Sequence, residues 1–352
     1  MSKIVIAVDA MGGDYAPQEI IKGAVEAVQE ADIELILVGQ EERIKPLLNK
    51  EKSNLPLQVY NASQVVEMGE PPAEAIRSKK DASIKVALEL VKKGVAQGVF
   101  SAGNSGATLA MAMFTLGRLK GVNRPALAGL IPTLKGYVVF IDVGGMVDCR
   151  PYHLVQFAVM GHVFAKYILG LPEPKVGLLN IGEEPTKGNE LVKQTYTFLE
   201  KSPLNFIGNV EGKDILHHKA DVVVCDGFVG NVALKLGEGV VESLITLVKK
   251  EVKKSLGAKL GPILVKNLLK NVFQILDYSE YGGAPLLGVN GTVIIGHGRS
   301  QAKAVKNGIK MAANFVKQDV NTHLEKGLQE HEALIPGKRW RKLAEKLKEV
   351  VP

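Results

Sequence analysis

The sequence alternates apolar, β-branched runs with amphipathic stretches over most of its length, and this alternation limits the possible folds more than any other feature. Strands that read as continuous apolar runs are buried on both faces, and the helices between them serve as crossover connections. We therefore predict an α/β fold with a buried, largely parallel sheet. The predicted strands are 4–8, 33–38, 95–100, 126–131, 137–143, 176–181, 205–210 and 220–225, and the predicted helices are 18–29, 83–93, 153–169, 190–201 and 232–254.

Chain length and cysteine content narrow this prediction. A chain of 352 residues exceeds the usual size of one hydrophobic core, so we expect two lobes around a cleft within residues 1–333, although composition marks no boundary between them. The two cysteines, Cys149 and Cys225, form neither a disulfide framework nor a CxxC metal site, as is typical of the reducing cytosol. The sequence shows no signal-peptide pattern and no apolar run of about 18–20 residues, so we expect a cytoplasmic protein.

Positive charge is concentrated late in the chain. The net charge is +7, and residues 249–270 contain seven lysines against the single Glu251. We predict a basic amphipathic helical segment over 249–278 and a basic, helical tail over 334–352. A basic amphipathic helix can lie on an anionic membrane surface or bind a partner helix, but an ordinary surface helix has the same pattern.

Glycine-rich loops follow two of the predicted strands. Asp9 precedes Gly12 and Gly13, and Asn104, Ser105 and Gly106 open a helix after the strand that ends near Phe100. Consecutive glycines let the backbone approach an anion, and a helix N-terminus adds a favourable dipole. These loops match neither the GxGxxG fingerprint nor a P-loop, so nucleotide binding is not indicated. A purely structural turn remains the alternative for each loop.

Polar loops later in the chain supply further candidate residues. Lys187 lies between small and polar residues after a predicted strand, where its ammonium can hold a phosphate or polarise a carbonyl. Asn231 follows Asp226 near the start of a predicted helix, where an asparagine serves either as a helix N-cap or as a donor to an oxyanion. His, Cys, Asp and Glu residues nowhere show metal-ligand spacing, so we expect no catalytic metal.

Taken together, these loops resemble the bacterial phosphate acyltransferases of phospholipid synthesis, which make acyl phosphate from acyl carrier protein thioesters. The resemblance extends to about residue 310, through segments 9–17, 69–83, 101–107, 142–148, 177–190, 205–211, 226–231 and 281–298. It implies a three-layer α/β fold like that of isopropylmalate dehydrogenase, a homodimer, and a reaction between acyl-ACP and inorganic phosphate without metal or other cofactor. It also implies loose association with the anionic inner membrane surface, where a glycerol-3-phosphate acyltransferase takes the product.

Roles for individual residues are predicted from the chemistry of these loops and from the resemblance. We hypothesise that Lys187 and Asn231 are catalytic and hold the reacting phosphate and carbonyl, and that Asn104, Ser105 and Asn180 line the same cleft. Membrane contact is implied for Leu260, Ile263, Leu264 and Leu268. The predicted substrate-binding residues are Asp9, Gly12, Gly13, Asn104, Ser105, Gly106, Asp142, Asn180, Gly182, Glu184, Asp226, Gly230 and His297.

The chain departs from the family pattern at three places. Gly145-Met146 replaces the usual Ala-Asn pair, Arg299 replaces a small serine, and Ser105 replaces a threonine. The exchange at Met146 removes an amide donor and acceptor from a predicted cleft loop. Arg299 either crowds the site or adds a phosphate ligand.

Several other functions remain open at this point. The rivals are a phosphate acetyl- or butyryltransferase that uses acyl-CoA, a dehydrogenase of the same fold, and a membrane-associated scaffold with a weakened site. Covalent catalysis through Cys149 or Cys225 is an alternative mechanism. Nucleic-acid binding is disfavoured, because the basic residues are not interleaved with aromatic residues except near Trp340.

Overall fold

The fold is built on one eleven-stranded sheet. A computed structural model of the chain describes residues 3–50, 55–133, 135–254 and 277–330. The strands are β1 Ile4–Asp9, β2 Ile33–Gly39, β3 Leu57–Asn61, β4 Gly98–Ser101, β5 Ala126–Thr133, β6 Gly136–Ile141, β7 Val176–Leu179, β8 Phe206–Val210, β9 Val222–Val224, β10 Ala284–Leu287 and β11 Thr292–Ile295. Their order across the sheet is β3-β2-β1-β4-β11-β10-β5-β6-β9-β7-β8.

Strand direction divides this sheet into two blocks. Strands β3, β2, β1, β4 and β11 are mutually parallel, and so are β6, β9, β7 and β8. Between the blocks, β10 and β5 pair antiparallel with each other and with their outer neighbours β11 and β6. The second parallel block therefore runs opposite to the first within the sheet. The predicted α/β class with a largely parallel sheet is confirmed.

Helices cover both faces of the sheet. They are α1 Gln18–Glu30, α2 Glu41–Leu48, α3 Pro72–Ser78, α4 Ser83–Lys92, α5 Ser105–Thr115, α6 Pro151–Tyr167, α7 Glu190–Glu200, α8 Gly212–Leu216, α9 Gly227–Lys254, α10 Ala302–Lys317 and α11 Val320–Glu330. One apolar core joins the sheet to α1, α6, α10 and α11, and the other joins it to α4 and α5. Strand β1 shows why both faces are buried, because Ile6 and Val8 enter the first core and Ala7 enters the second.

Several sequence-based boundaries need correction. The predicted strands 95–100 and 220–225 shorten to Gly98–Ser101 and Val222–Val224, and the helix predicted from residue 232 begins at Gly227. Strands β3, β10 and β11 were not predicted, nor were helices α2, α3, α8, α10 and α11. Strand β3 has partly exposed side chains and β10 contains Pro285, so neither has the sequence pattern of a buried strand.

Two predicted elements lie wholly or partly outside the described residues. They are the basic segment over 249–278, beyond its first residues in α9, and the tail over 334–352. The predicted membrane-contact residues Leu260, Ile263, Leu264 and Leu268 belong to the first of these. Within the described part of the chain, no helix combines the length and the hydropathy needed to cross a bilayer.

Candidate active site

Three loops of the first block pack backbone to backbone at the ends of β1, β4 and β11. The amide of Asp14 donates to the Gly298 carbonyl at 2.8 Å, and the amide of Gly296 donates to the Ser101 carbonyl at 2.8 Å. Gly13 has φ +117°, and a Cβ built there would lie 3.3 Å from the carbonyl oxygens of Ala102 and Gly298. A side chain at Gly13 is therefore disfavoured both by its backbone conformation and by this close packing.

Asp9 faces the inside of this loop cluster. Its side chain is 2% exposed, and Oδ2 accepts a hydrogen bond from the Ser101 hydroxyl at 2.7 Å. Burial raises the pKa of the Asp9 carboxyl, although hydrogen bonds from Ser83, Ser101 and backbone amides oppose the shift. A Cβ at Gly12 would overlap Asp9 and lie 2.8 Å from the Gly103 nitrogen. Asp9 and the absence of a side chain at Gly12 thus determine the conformation of the loop after β1.

Asn104 is committed to local structure. Its Oδ1 caps helix α5 by accepting from the Ala107 amide at 3.0 Å, and its Nδ2 donates to the carbonyls of Met68 and Glu70 at 3.0 and 2.8 Å. Ser105 and Gly106 are exposed in the first turn of α5. Amides in a first helical turn have no intrahelical acceptor, so this turn can receive an anion.

His297 and Arg299 border the same cluster. The exposed His297 accepts the Arg299 amide at Nδ1, at 3.1 Å. The Arg299 guanidinium lies 3.6 Å from the carboxylate of Glu242 in helix α9. Both side chains are more than half exposed, so this ion pair contributes little stability. It nevertheless links the first cluster to α9, which begins at the second cluster.

A second cluster forms at the ends of β6, β7 and β9, with Asp142 at its centre. The fully buried Asp142 accepts hydrogen bonds from four backbone amides: Leu127 at 2.9 Å, Gly144 at 3.2 Å, Gly145 at 2.8 Å and Met146 at 2.6 Å. Burial raises the pKa of the Asp142 carboxyl to about 6, while these amides act in the opposite direction. Asp142 thereby holds the loop that departs from the family pattern, and the Met146 side chain packs against the core.

The start of α9 corrects one sequence-based alternative. Asp226, not Asn231, occupies the N-cap position, since its Oδ1 accepts from the Phe228 and Val229 amides at 3.0 and 2.9 Å. Asn231 lies in the second turn of α9 and faces the Gly144 loop, where a Cβ on Gly144 would lie 3.5 Å from Asn231 Cγ. Its amide is therefore not used in capping and can donate to a ligand.

The loop that carries Lys187 is tied by two asparagines. Asn180 donates to the Lys187 carbonyl at 3.0 Å and accepts from the Ile181 amide at 2.8 Å, while Asn209 donates to the Glu184 carbonyl at 2.9 Å. Lys187 itself is exposed, and its ammonium has no acidic partner in the part of the chain that the structure describes. The backbone is thus fixed while the charge stays available.

Sequence reasoning missed two residues that organise these loops. Asn209 is buried within strand β8, and Ser83 is buried at the start of α4, where it bonds to Asp9. An asparagine inside a strand is disfavoured by propensity, and this was the available signal for Asn209. Among the described residues, no group of three His, Cys, Asp or Glu side chains is arranged to hold a metal ion.

The thiols are unsuited to nucleophilic attack. Burial, with the nearby charges of Asp142 and Asp226, raises the pKa of Cys149 to about 12. The same causes raise the pKa of Cys225 well above its ordinary value. Because the thiolate is the reactive form, these raised pKa values disfavour nucleophilic attack by either cysteine at neutral pH.

Comparison with known sequences identifies relatives over nearly the whole chain. A family model described as "Fatty acid synthesis protein" matches residues 4–323. A phosphate acyltransferase of Heliobacterium modesticaldum is 51% identical over 335 residues, covering 95% of this chain and 98% of that protein. One from Dictyoglomus turgidum is 52% identical over 326 residues, covering 92% and 97%.

Solved structures share the fold at low sequence identity. A phosphotransacetylase from Streptococcus pyogenes superposes with a TM-score of 0.61 at 17% identity, covering 90% of this chain and 94% of that one. A 4-hydroxythreonine-4-phosphate dehydrogenase from Klebsiella pneumoniae superposes with a TM-score of 0.52 at 14% identity, covering 90% and 100%. These likenesses establish the architecture.

Proposed function

The chain belongs to the phosphate acyltransferase family and is an acyltransferase, and on this premise we propose that it converts acyl-ACP and inorganic phosphate into acyl phosphate and free carrier protein. In this reaction a phosphate oxygen attacks the thioester carbonyl carbon, and the C–S bond breaks. The electron pair leaves with the sulfur, which is protonated to the free thiol. Phosphate at neutral pH and a thioester need no further activation by a protein nucleophile.

The observation that carries this proposal is the ammonium of Lys187, which is unpaired among the described residues. Its ammonium projects from a loop whose backbone is fixed by Asn180 and Asn209, and no described carboxylate neutralises it. A cation that extends from a fixed backbone beside a strand end suits the phosphate dianion or the developing oxyanion. Asn231 supplies an amide donor against the Gly144 loop, after strand β9, which pairs in parallel with the strand β7 that precedes the Lys187 loop.

Direct attack by phosphate is favoured over an acyl-enzyme route. Covalent catalysis through Cys149 or Cys225 needs a thiolate, and the raised pKa values of both thiols oppose its formation. The work of the site is then positioning and charge stabilisation. Holding the two reactants in line can lower the barrier by about 7–11 kcal/mol.

Donor preference tests the proposed substrate. We expect phosphate-dependent acyl transfer from palmitoyl-ACP to exceed transfer from acetyl-CoA by at least about 100-fold in kcat/KM, because discrimination would draw on protein contacts that coenzyme A lacks. The measurement is thiol release from each donor in the same phosphate buffer. A preference for acetyl-CoA would contradict the proposal and favour a phosphate acetyltransferase.

We also propose a homodimer formed through α9. This 28-residue helix carries exposed apolar side chains every three or four residues over about 28 Å. They are Phe228, Val232, Leu236, Val240, Leu244 and Leu247. Apolar stripes of this length are usually covered by another surface, and an isologous contact with a second copy is the simplest cover.

Charge introduced into the α9 stripe tests this dimer. We expect Leu236→Glu/Leu244→Glu to sediment as a monomer at concentrations where the wild type is a dimer, because the carboxylates would be buried without partners. The control is Leu216→Glu, which changes an equally exposed leucine on α8. A wild-type monomer, or a double variant that stays dimeric, would contradict the assignment.

Cytoplasmic location with peripheral attachment to the inner membrane remains a proposal as well. It rests on the basic composition of 249–278, most of which lies outside the described residues. Attachment there would place the product beside a glycerol-3-phosphate acyltransferase. We expect the protein to float with anionic vesicles but not with neutral ones. Absence of flotation with either kind of vesicle would contradict the proposal.

A further inference from the structure

A groove between helices α3, α4 and α5 lies apart from both loop clusters. It has a volume of about 660 Å³. Its lining is Ile76, Lys80, Lys85, Glu89, Lys92, Lys93, Met111, Phe114 and Thr115. The groove thus combines four lysines with the apolar side chains of Ile76, Met111 and Phe114, and none of these residues takes part in the proposed chemistry.

The charge of the groove is unbalanced. Its only carboxylate, Glu89, lies 3.9 Å from the ammonium of Lys85. Lys92 and Lys93 are exposed at the end of α4, and neither has an acidic partner within the described ranges. Cations without partners around a concave surface attract an acidic macromolecule and speed its association.

The lining of the groove includes an exposed aromatic side chain. Phe114 is 77% exposed, although it lies on a helix whose neighbouring Met111 is 2% exposed. An exposed aromatic side chain among charged residues is typical of a protein contact, where aromatic residues fill the centre and polar residues surround them.

The groove is connected to the first loop cluster through two helices. Helix α5 begins at the exposed turn of Ser105 and Gly106, and Phe114 lies eight residues further, about 12 Å along the helix. Helix α4 begins at Ser83, which hydrogen-bonds to Asp9. A macromolecule bound in the groove is therefore held close to the ends of β1 and β4 without covering them.

We infer that this groove docks the acyl carrier protein, through an acidic helix that presents an apolar side chain to Phe114 and carboxylates to Lys92 and Lys93. The inference rests on the proposed function, because it names the surface that receives the acyl donor. Charge selects this occupant over a second copy of the chain, since two copies of the same lysine-rimmed groove would repel each other. The apolar stripe of α9 is a separate surface.

Charge reversal in the groove tests the docking. We expect Lys92→Glu/Lys93→Glu to raise both the KM for palmitoyl-ACP and the Kd for the acyl-free carrier protein about tenfold at low salt, with kcat retained. The difference from wild type should shrink at about 0.5 M salt, where exposed charges are screened. Phe114→Ser should also raise KM and Kd, and its effect should persist in high salt because apolar contacts are not screened.

A matched pair on the opposite face of the sheet serves as the control. Lys317→Glu/Lys326→Glu makes the same change in net charge at exposed positions of α10 and α11. We expect its KM and Kd to equal those of wild type, and all variants to keep the wild-type unfolding temperature. If the groove pair and the control pair behave alike while wild type uses palmitoyl-ACP, the groove assignment is wrong and the proposed function stands. If wild type neither binds the carrier protein nor uses palmitoyl-ACP but does use acyl-CoA, both fail.

Discussion

Replacing Lys187 with alanine is expected to lower kcat/KM for phosphate by about 10²–10³-fold, which corresponds to about 3–4 kcal/mol of transition-state stabilisation. The expected loss is large because, in the proposed mechanism, the ammonium extends from a fixed backbone toward charge that develops during the reaction. Lys187→Arg keeps the charge but changes its shape, so it should recover only part of the activity. The measurement is steady-state thiol release from palmitoyl-ACP over a range of phosphate concentrations.

Lys193→Ala is the control for Lys187. Lys193 is exposed on α7, a few residues after the loop, and its loss removes the same charge from the same part of the surface. We expect Lys193→Ala to change kcat/KM by less than about twofold, as is usual for exposed positions. Equal activity of Lys187→Ala and Lys193→Ala would remove Lys187 from the mechanism.

Gly230→Ala is expected to destabilise the fold by about 3–4 kcal/mol. Gly230 lies in the first turn of α9, and a Cβ there would overlap the carbonyl oxygen of Asp142 and lie 3.0 Å from Cys225 Sγ. The helix cannot move away without disturbing the Asp142 loop, because the Gly227 amide donates to the Met146 carbonyl at 2.8 Å. The measurement is the free energy of unfolding in urea.

For Gly237, on the same helix, we expect alanine to change the free energy of unfolding in the opposite direction. A Cβ at Gly237 would meet no atom within 4 Å. Gly237→Ala should therefore raise the free energy of unfolding by about 0.5–1 kcal/mol, because alanine is the better helix former. A Gly230→Ala protein as stable as Gly237→Ala would contradict the packing of α9 against the Asp142 loop.

The sequence predicts the strands that form continuous apolar runs better than the edge strand β3 and the central strands β10 and β11. Strands such as Ile4–Asp9 and Val222–Val224 read as uninterrupted apolar runs, because helices cover both faces. Leu57–Asn61 lies at the edge of the sheet with partly exposed side chains, so it lacks this pattern. Ala284–Leu287 contains Pro285, a residue that argues against a strand when only the sequence is considered.

The sequence does not show whether a polar side chain points into its own loop or toward a ligand. Asp9 and Asp142 follow strands in the same way as a ligand-binding aspartate does, yet both turn inward to accept hydrogen bonds from their own loops. Asn104 and Asn180 likewise use their amides to fix backbone. Lys187 and Asn231 are different, because among the described residues their side-chain nitrogens donate no hydrogen bond to their own loops. Their assignment as catalytic residues stays a prediction.

The measurement that tests the central claim most directly is thiol release from palmitoyl-ACP with and without inorganic phosphate, together with the incorporation of labelled phosphate into acyl phosphate. Direct attack predicts release only when phosphate is present, with one labelled acyl phosphate formed for each thiol. Release of one equivalent per active site without phosphate would contradict direct attack and indicate an acyl-enzyme. No release under either condition, from a folded protein that still binds the carrier protein, would contradict the proposed activity and favour a scaffold.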